Sequence, residues 1–420
     1  VVDADETFVI VGGGLAGAKA AETLRTEGFT GRVILICDER DHPYERPPLS
    51  KGYLLGKEER EGVFVHEPAW YARHDIELHL GQTVTAIDRA AKTVRLGDGT
   101  LVHYDKLLLA TGSEPRRLDI PGTGLAGVHH LRRLAHAERL KGVLASLGRD
   151  NGHIVIAGAG WIGLEVAAAA REYGAEVTVV EPEPTPLYGV LGPELGNLFA
   201  ELHREHGVRF HFGVRLTEII GQDGVVLAAR TDDGEEHPAH DVLAAIGAAP
   251  RIGLAEAAGL ELADRAHGGG IVVDERLRTS DPDIHAAGDV ASVPSGLFGT
   301  RLRVEHWANA LNGGPAAARA MLGQDVIYDR VPYFFSDQYD LGMEYSGWAP
   351  PGSYDQVVIR GDAGKREFVA FWLKDGRVLA GMNVNVWDVT EPIQRLIRTG
   401  APVDADALAD PHVPLESLVP

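Results

Sequence analysis

A single cysteine, Cys37, is all the thiol carried by this sequence of 420 residues. No internal disulfide can form from it, and a reducing compartment, the cytoplasm, is the expected setting. Long apolar runs are missing too: no stretch approaches the ~18 consecutive apolar residues of a membrane helix. The opening, VVDADETFVIVGGG, has no basic segment ahead of its apolar run, so that run is expected to be a strand and not a leader peptide. Cations are scarce, 40 Lys and Arg against 61 Asp and Glu. The formal net charge of −21 argues against nucleic acid and anionic membrane as default partners, while leaving room for a local basic docking face. No metal site is expected.

Glycine, in contrast, is abundant, with 51 residues, and the 45% hydrophobic content suits a folded α/β protein of two or three domains. Two stretches concentrate the chemistry. Gly12, Gly14 and Gly17 lie in TFVIVGGGLAGAKAAETL, and Gly158, Gly160 and Gly163 lie in HIVIAGAGWIGLEVAAAA. Each has G-x-G-x-x-G spacing after a β-type run and opens an alanine-rich helical stretch. The first glycine makes the tight turn, the second lets a pyrophosphate approach, and the third lets helix pack on strand. The residues between, Leu15 and Ala16 in one and Trp161 and Ile162 in the other, begin the helices whose N-termini face phosphate charge. Two such units in order imply two dinucleotides held by one chain.

The units are alike over a longer span. After the first come a helix to about Glu27, the strand RVILICD and the meander TVTAIDRAAKTVRLGDGTLVHYDKLLLATG, with a turn at Asp98-Gly99. After the second come a helix to about Tyr173, the strand EVTVVE and another meander with a turn at Asp233-Gly234. Each closes on an apolar strand running to a glycine, Gly112 or Gly247. Internal duplication explains this; two unrelated Rossmann folds sharing turn chemistry are the alternative. From about residue 326 short antiparallel strands take over, with Asp375-Gly376 as a two-residue turn and a helix running from near Pro392 to a stop at Gly400. The expected architecture is α/β: two Rossmann-like dinucleotide-binding domains, one of residues 1–115 and 248–325 and one of 116–247, plus a small C-terminal α+β domain of 326–420.

Coenzyme choice is legible from charge. Glu181 ends the second strand of the second unit, 18 residues after Gly163. A carboxylate there accepts from the adenosine ribose hydroxyls and repels a 2′-phosphate. Glu183 follows, no Lys or Arg occurs between Arg171 and Arg204, and NADH is therefore favoured over NADPH. In the first unit Asp38 or Glu39 is expected in the corresponding part. Cys37, beside Asp38, is expected to be a buried small hydrophobe.

TSDPDIHAAGDV (279–290) places an apolar segment before Gly288-Asp289. With the first fingerprint and the turn Ala110-Thr111-Gly112, it resembles the glutathione-reductase-like flavoproteins, which implies that Asp289 accepts from a ribitol hydroxyl of FAD. HPYERPPLSKGYL (42–54), GWIGLE (160–165), RVEHWANA (303–310) and YFFSDQYDLG (333–342) narrow this. Together they resemble the oxygenase-coupled NADH-dependent ferredoxin reductases, over about residues 7 to 345. The resemblance implies FAD in the first unit and NADH in the second. It implies hydride transfer between them and delivery of single electrons to a 2Fe-2S ferredoxin serving a haem monooxygenase or ring-hydroxylating dioxygenase. Electrons would leave the flavin directly, since the disulfide reductases of the superfamily need a C-x-x-x-x-C pair that is lacking here.

Arg46, Pro47 and Lys51 fall in the flavin-side loop of that pattern. Lys51 follows Pro47-Pro48, which stiffen the chain, and Glu165 lies two residues after Gly163, read as the first turn of its helix, where the dipole favours a carboxylate. The resemblance brings Lys51 and Glu165 together beside the flavin as an ion pair that positions flavin and nicotinamide. Glu305, His306 and Trp307 begin a helix whose N-terminus the resemblance aims at the flavin pyrimidine. His306 is given no proton-carrying role, and Trp307 packs either near the isoalloxazine or in the core. Phe335 stands where relatives often have Trp, keeping aromatic cover but no indole. Arg301 and Arg303, and Arg46 with them, are the candidate ferredoxin-docking cations. A monomer is the default, with a dimer as the other option. Two other readings share the cofactors. One is an NADH oxidase, quinone reductase or monodehydroascorbate-type reductase; the other is a binding protein of apoptosis-inducing-factor type that senses NADH.

Overall fold

The computed structural model describes residues 5–265 and 268–419. By packing, the chain divides into two compact units. The first holds the chain through Arg46, Arg60–Glu114 and Ala249–Pro332; the second holds Pro47–Glu59, Pro115–Ala248 and the chain from Tyr333 onward.

The first unit is built on TFVIV (Thr7–Val11) and RVILI (Arg32–Ile36), each buried after its first residue. Strands apolar on both faces belong inside a parallel sheet with cover on either side. The five strands run in the order Ile284–Ala286, Lys106–Leu109, Thr7–Val11, Arg32–Ile36, Ile76–His79, all parallel, with Thr7 opposite Arg32 and Phe8 opposite Lys106. Helices Leu15–Thr26 and Trp307–Met321 pack on one another. A Cβ on Gly314 would come within 2.2 Å of the Ala16 carbonyl oxygen, so this approach requires glycine. The meander forms a separate antiparallel sheet of Val84–Asp88, Thr93–Leu96 and Leu101–His103, turning at Gly99.

The second unit repeats the plan. Its parallel sheet runs Arg209–Phe212, Glu176–Glu181, His153–Ala157, Asp241–Ala244, Val128–His129. The strand before the fingerprint is again central, and the strand after the meander again lies on its other side. The antiparallel meander is Leu216–Gln222, Val225–Thr231 and Glu236–Pro238. Only the fifth strand has a different origin. In the first unit it comes from far downstream, leading into Gly288-Asp289; in the second it precedes the fingerprint.

The same unit carries a five-stranded antiparallel sheet in the order Tyr333–Gln338, Leu341–Gly347, Arg377–Val384, Glu367–Lys374, Gln356–Asp362. The amphipathic helix Thr390–Thr399 packs on two of its strands and stops at Gly400 in the left-handed region. Asp375 and Gly376 make the expected turn, both with positive φ (50° and 72°), the pairing that two-residue hairpins favour. Among the described residues, no helix is long and apolar enough to cross a membrane.

Candidate functional site

Both glycine loops have the geometry of phosphate cradles. Gly12 has φ +123°, and an added Cβ would lie 2.1 Å from the Ala110 carbonyl oxygen; Gly158 has φ +102° and would meet Ala245 oxygen at 2.4 Å. Gly17 and Gly163 would strike the oxygens of Gly12 and Gly158 at 2.0 and 2.1 Å. The middle glycines behave oppositely. A Cβ on Gly14 or Gly160 meets nothing within 4 Å, and each is an extended N-cap with no side-chain cap on the helix behind it. Uncapped N–H groups facing open space are what a pyrophosphate needs. Each loop therefore fits a dinucleotide.

Around the first loop, Leu15 and Ala16 are buried at the start of the helix, and Gly288, with φ +78°, lets its turn sit against Ala16, where a Cβ would lie 3.2 Å from the Ala16 Cβ. Asp289 is buried; it accepts 2.6 Å from Ser113 Oγ, while its backbone oxygen accepts from Arg303 at 3.1 Å. Thr111 Oγ1 donates to the Arg251 carbonyl at 2.9 Å, and Arg251 N donates to the Gly112 carbonyl at 2.9 Å, tying the ATG turn down. Arg46 lies 3.3 Å from Glu39 and 3.2 Å from Tyr44 OH, close to the charge of Asp289; burial works to lower its pKa, but the Tyr44 hydroxyl and the two carboxylates outweigh it and raise it. His306 caps the helix Trp307–Met321 through its backbone only; desolvation lowers it to about 4, so the imidazole is neutral. Trp307 Nε1 donates to Glu45 at 2.8 Å, and Glu305 pairs with Arg303 at 2.6 Å. Arg303 also donates to Gly268 and Arg301 to Val273 and Ser292, so both guanidinium groups are used within the unit.

The adenosine ends of the two loops differ. Gly12 N bonds the Ile36 carbonyl and Gly158 N bonds that of Val180, both at 2.9 Å, which aligns Cys37 with Glu181. Glu181 accepts from Ala159 N at 2.6 Å and Glu183 N at 3.0 Å and, among the described residues, forms no ion pair. Cys37 is 2% exposed beneath Gly13, with burial pushing its thiol up to about 12. The carboxylates expected in Glu181's part come one and two residues later: Asp38 pairs with Arg251 at 3.0 Å, and Glu39 accepts from Tyr44 OH at 2.6 Å.

In the second unit, Pro47–Ser50 forms one turn of 3₁₀ helix, and Lys51 follows it directly. Lys51 Nζ lies 2.9 Å from Glu165 Oε1 and 5.3 Å from the centre of the Phe335 ring. Glu165 is 4% exposed and occupies the fifth position of the helix Trp161–Tyr173. The expectation that it sits in the first turn is thereby corrected: the helix starts two residues before Gly163, so the dipole is not its main support. Its support is side chains, namely Lys51, Ser336 Oγ at 2.7 Å on the same oxygen, and Ser50 Oγ on the other. Trp161 is wedged against Phe199 and Phe334 with its Nε1 buried and unpartnered, Ile162 is 41% exposed, and Gly247 keeps φ +94°.

Sequence reasoning did not single out Ser50, Ser336, Gln338 or His203. One signal existed. Tyr333–Gln338 alternates, and its buried positions are Phe334, Ser336 and Gln338, so two polar residues occupy the inward face of a strand.

Comparison with known proteins agrees with this geometry. Residues 6–314 match the family model of pyridine nucleotide-disulphide oxidoreductase, and 333–419 match that of the reductase C-terminal domain. The chain is similar to a probable ferredoxin reductase, CtmF, of Castellaniella defragrans, 40% identical with 99% of this chain and all of that protein covered. It is also similar to the ferredoxin–NAD(+) reductase component of the anthranilate 1,2-dioxygenase system of Burkholderia cepacia, 39% identical with 99% of both covered. Among solved structures, the covalent putidaredoxin reductase–putidaredoxin complex matches with TM-score 0.92 and 35% identity over 99% of both chains.

Proposed function

The chain belongs to the pyridine nucleotide-disulphide oxidoreductase family, in the group that carries the reductase C-terminal domain, and from that premise we propose that it is an FAD-dependent NADH:ferredoxin oxidoreductase of an oxygenase system. FAD, when bound, supplies the conversion of a two-electron hydride into two single electrons. The observation that carries the reading is Cys37: a fold shared with disulfide reductases has here one thiol, buried beneath Gly13, so no protein disulfide mediates and the acceptor is an external carrier. The ferredoxin reductases to which the chain is similar supply the class of that carrier, a ferredoxin; we take it to be a 2Fe-2S ferredoxin serving a haem monooxygenase or a ring-hydroxylating dioxygenase.

We assign FAD to residues 1–115 and 248–325, NADH to 116–247, and the C-terminal domain to 326–420; the chain passing between its units at 114/115 and 248/249 supports the inner bounds, whereas Pro47–Glu59 pack with the second unit and the first unit runs on to Pro332. Gly14 and Gly160 leave room for the two pyrophosphates; Asp289 and Arg46 serve the flavin side, and Glu181 receives the ribose of NADH and repels a 2′-phosphate. Lys51 and Glu165 position the reacting rings. Their charges are tied to each other and to buried hydroxyls, so the ammonium holds one place without taking part covalently. The imidazole of His306, kept neutral by burial, is given no proton-transfer role. The N-terminal end of the helix Trp307–Met321, through its dipole, is assigned to stabilising negative charge on reduction. A cytoplasmic setting fits the lone thiol.

Cytochrome c reduction by NADH, with and without added 2Fe-2S ferredoxin, tests the reading. Strong dependence on the ferredoxin is expected. Equal rates without it, with fast reduction of oxygen or quinones, would turn the assignment to a small-acceptor reductase.

A further inference from the structure

A buried polar chain leads away from Glu165 into the second unit, and nothing above uses it. Glu165 Oε1 receives Lys51 Nζ and Ser336 Oγ, and Oε2 receives Ser50 Oγ. A carboxylate beside an ammonium only accepts, so Ser336 gives it its one proton and must accept from its other neighbour. That neighbour is Gln338 Nε2, 3.1 Å away, which fixes the amide and turns its Oε1 toward His203 Nε2 at 2.8 Å. His203 therefore carries its proton on Nε2, and Nδ1 accepts from Tyr339 OH at 3.2 Å. Every donor in the chain points toward Glu165. Ser336, Gln338 and His203 are 0%, 1% and 0% exposed. Burial lowers His203 to about 4, leaving the ring neutral with one donor and one acceptor.

A second observation sits at the outer end. Tyr339 is the first residue of a two-residue turn between Gln338 and Leu341, with φ +56°. Such a position suits glycine, and a bulky side chain there is strained. The ring is held by stacking on His206, 3.6 Å between centroids at 10°, which leaves the hydroxyl against His203.

We propose that Ser336, Gln338 and His203 are positioning residues, a one-directional hydrogen-bond relay that holds the Glu165 carboxylate in a single rotamer and through it fixes Lys51. The proposal rests on the assignment of Lys51 and Glu165 to the step in which NADH reduces the flavin. It makes two distant parts of the chain, the strand with Ser336 and Gln338 and the helix with His203, act together on that step.

Two measurements on the holoprotein test it. In ¹⁵N NMR of histidine-labelled protein, with His203 assigned by its loss in His203→Gln, the relay requires a neutral Nε2–H tautomer throughout the window between about pH 5 and 8. An Nδ1–H tautomer, or a protonated ring within that window, overturns it. In anaerobic stopped flow, His203→Leu is expected to lower the limiting rate of flavin reduction roughly tenfold, with the Kd for NADH unchanged. His203→Gln, which keeps an N–H toward Gln338, should retain most of the rate. Equal losses in both, or a loss of NADH affinity alone, overturn the proposal. Should His203→Leu fail to fold, Ser336→Ala against Ser336→Thr poses the same question, the hydroxyl being absent in one and kept in the other. Lys51→Met separates the two layers. If it leaves the limiting rate unchanged, the assignment of the pair falls and the relay's purpose with it. If it slows reduction while His203→Leu and Ser336→Ala do not, the relay alone is wrong.

Discussion

The two glycine-fingerprint units share strand order, helix and meander, yet differ at the aligned position where the second strand ends. In one it is Glu181, reaching back to Ala159 N at 2.6 Å; in the other it is Cys37, packed so tightly that Gly13 cannot carry a Cβ, which would lie 2.3 Å from Sγ. The phosphate end of the unit is the invariant part, because close approach and φ leave only glycine at Gly12, Gly17, Gly158 and Gly163. On the proposed assignment the adenosine end varies because there a side chain is the part that would select the ligand. In the second unit that side chain is an anion with no ion pair among the described residues; in the first, Asp38 and Glu39 are already paired with Arg251 and with Tyr44 and Arg46.

The sharpest way to break the comparison is to fill the third glycine of each loop. Gly17→Ala places a Cβ 2.0 Å from a backbone oxygen and is expected to yield protein without flavin; Gly163→Ala should purify yellow yet show no flavin bleaching with NADH. Loss of flavin in both would mean that the loops do not hold separate cofactors. Next, Lys51→Met should lower the limiting rate of flavin reduction on the order of 100-fold while the flavin stays bound, measured by stopped flow. A loss of FAD instead would place Lys51 with flavin retention.

Acid should act on both units alike. His285 and His306 in the first, and His153 and His203 in the second, are each lowered by burial from 6.5 to about 4. Below about pH 6.5 the unfolded chain takes up protons that the folded chain refuses, so stability falls as pH drops toward 4. Urea midpoints near pH 7 and near pH 5 should show that decline, and a flat profile would contradict the burial. Glu181→Ala is expected to lower kcat/KM for NADH about tenfold and to narrow the preference over NADPH. At the aligned position Cys37→Ala should cost only about 1 kcal/mol of stability and leave FAD content unchanged. An FAD loss there would make the two adenosine ends equivalent after all.

Much of this was readable along the chain because it is local. The fingerprints, the helices ending near Glu27 and Tyr173, the Asp375-Gly376 turn and the stop at Gly400 each depend on neighbours in sequence. The surroundings of Glu165 were not readable: Ser50 lies 115 residues before it and Ser336 171 after. Ser and Gln in a strand look the same whether they face water or a buried carboxylate. Residues 47–59 likewise lie among the first unit's segments in sequence but pack with the second.

Glycine spacing and strand-length apolar runs by themselves determined two dinucleotide folds and their order, and the acid at the end of EVTVVE carries the proposed preference for NADH. Backbone sterics and charge act there over a few residues. Tertiary structure alone decided which carboxylate is buried, which hydroxyls and imidazole satisfy it, and that a thiol fills the place of Glu181 in the first unit. Burial and hydrogen-bond direction arise only when segments more than 100 residues apart are brought to within about 3 Å.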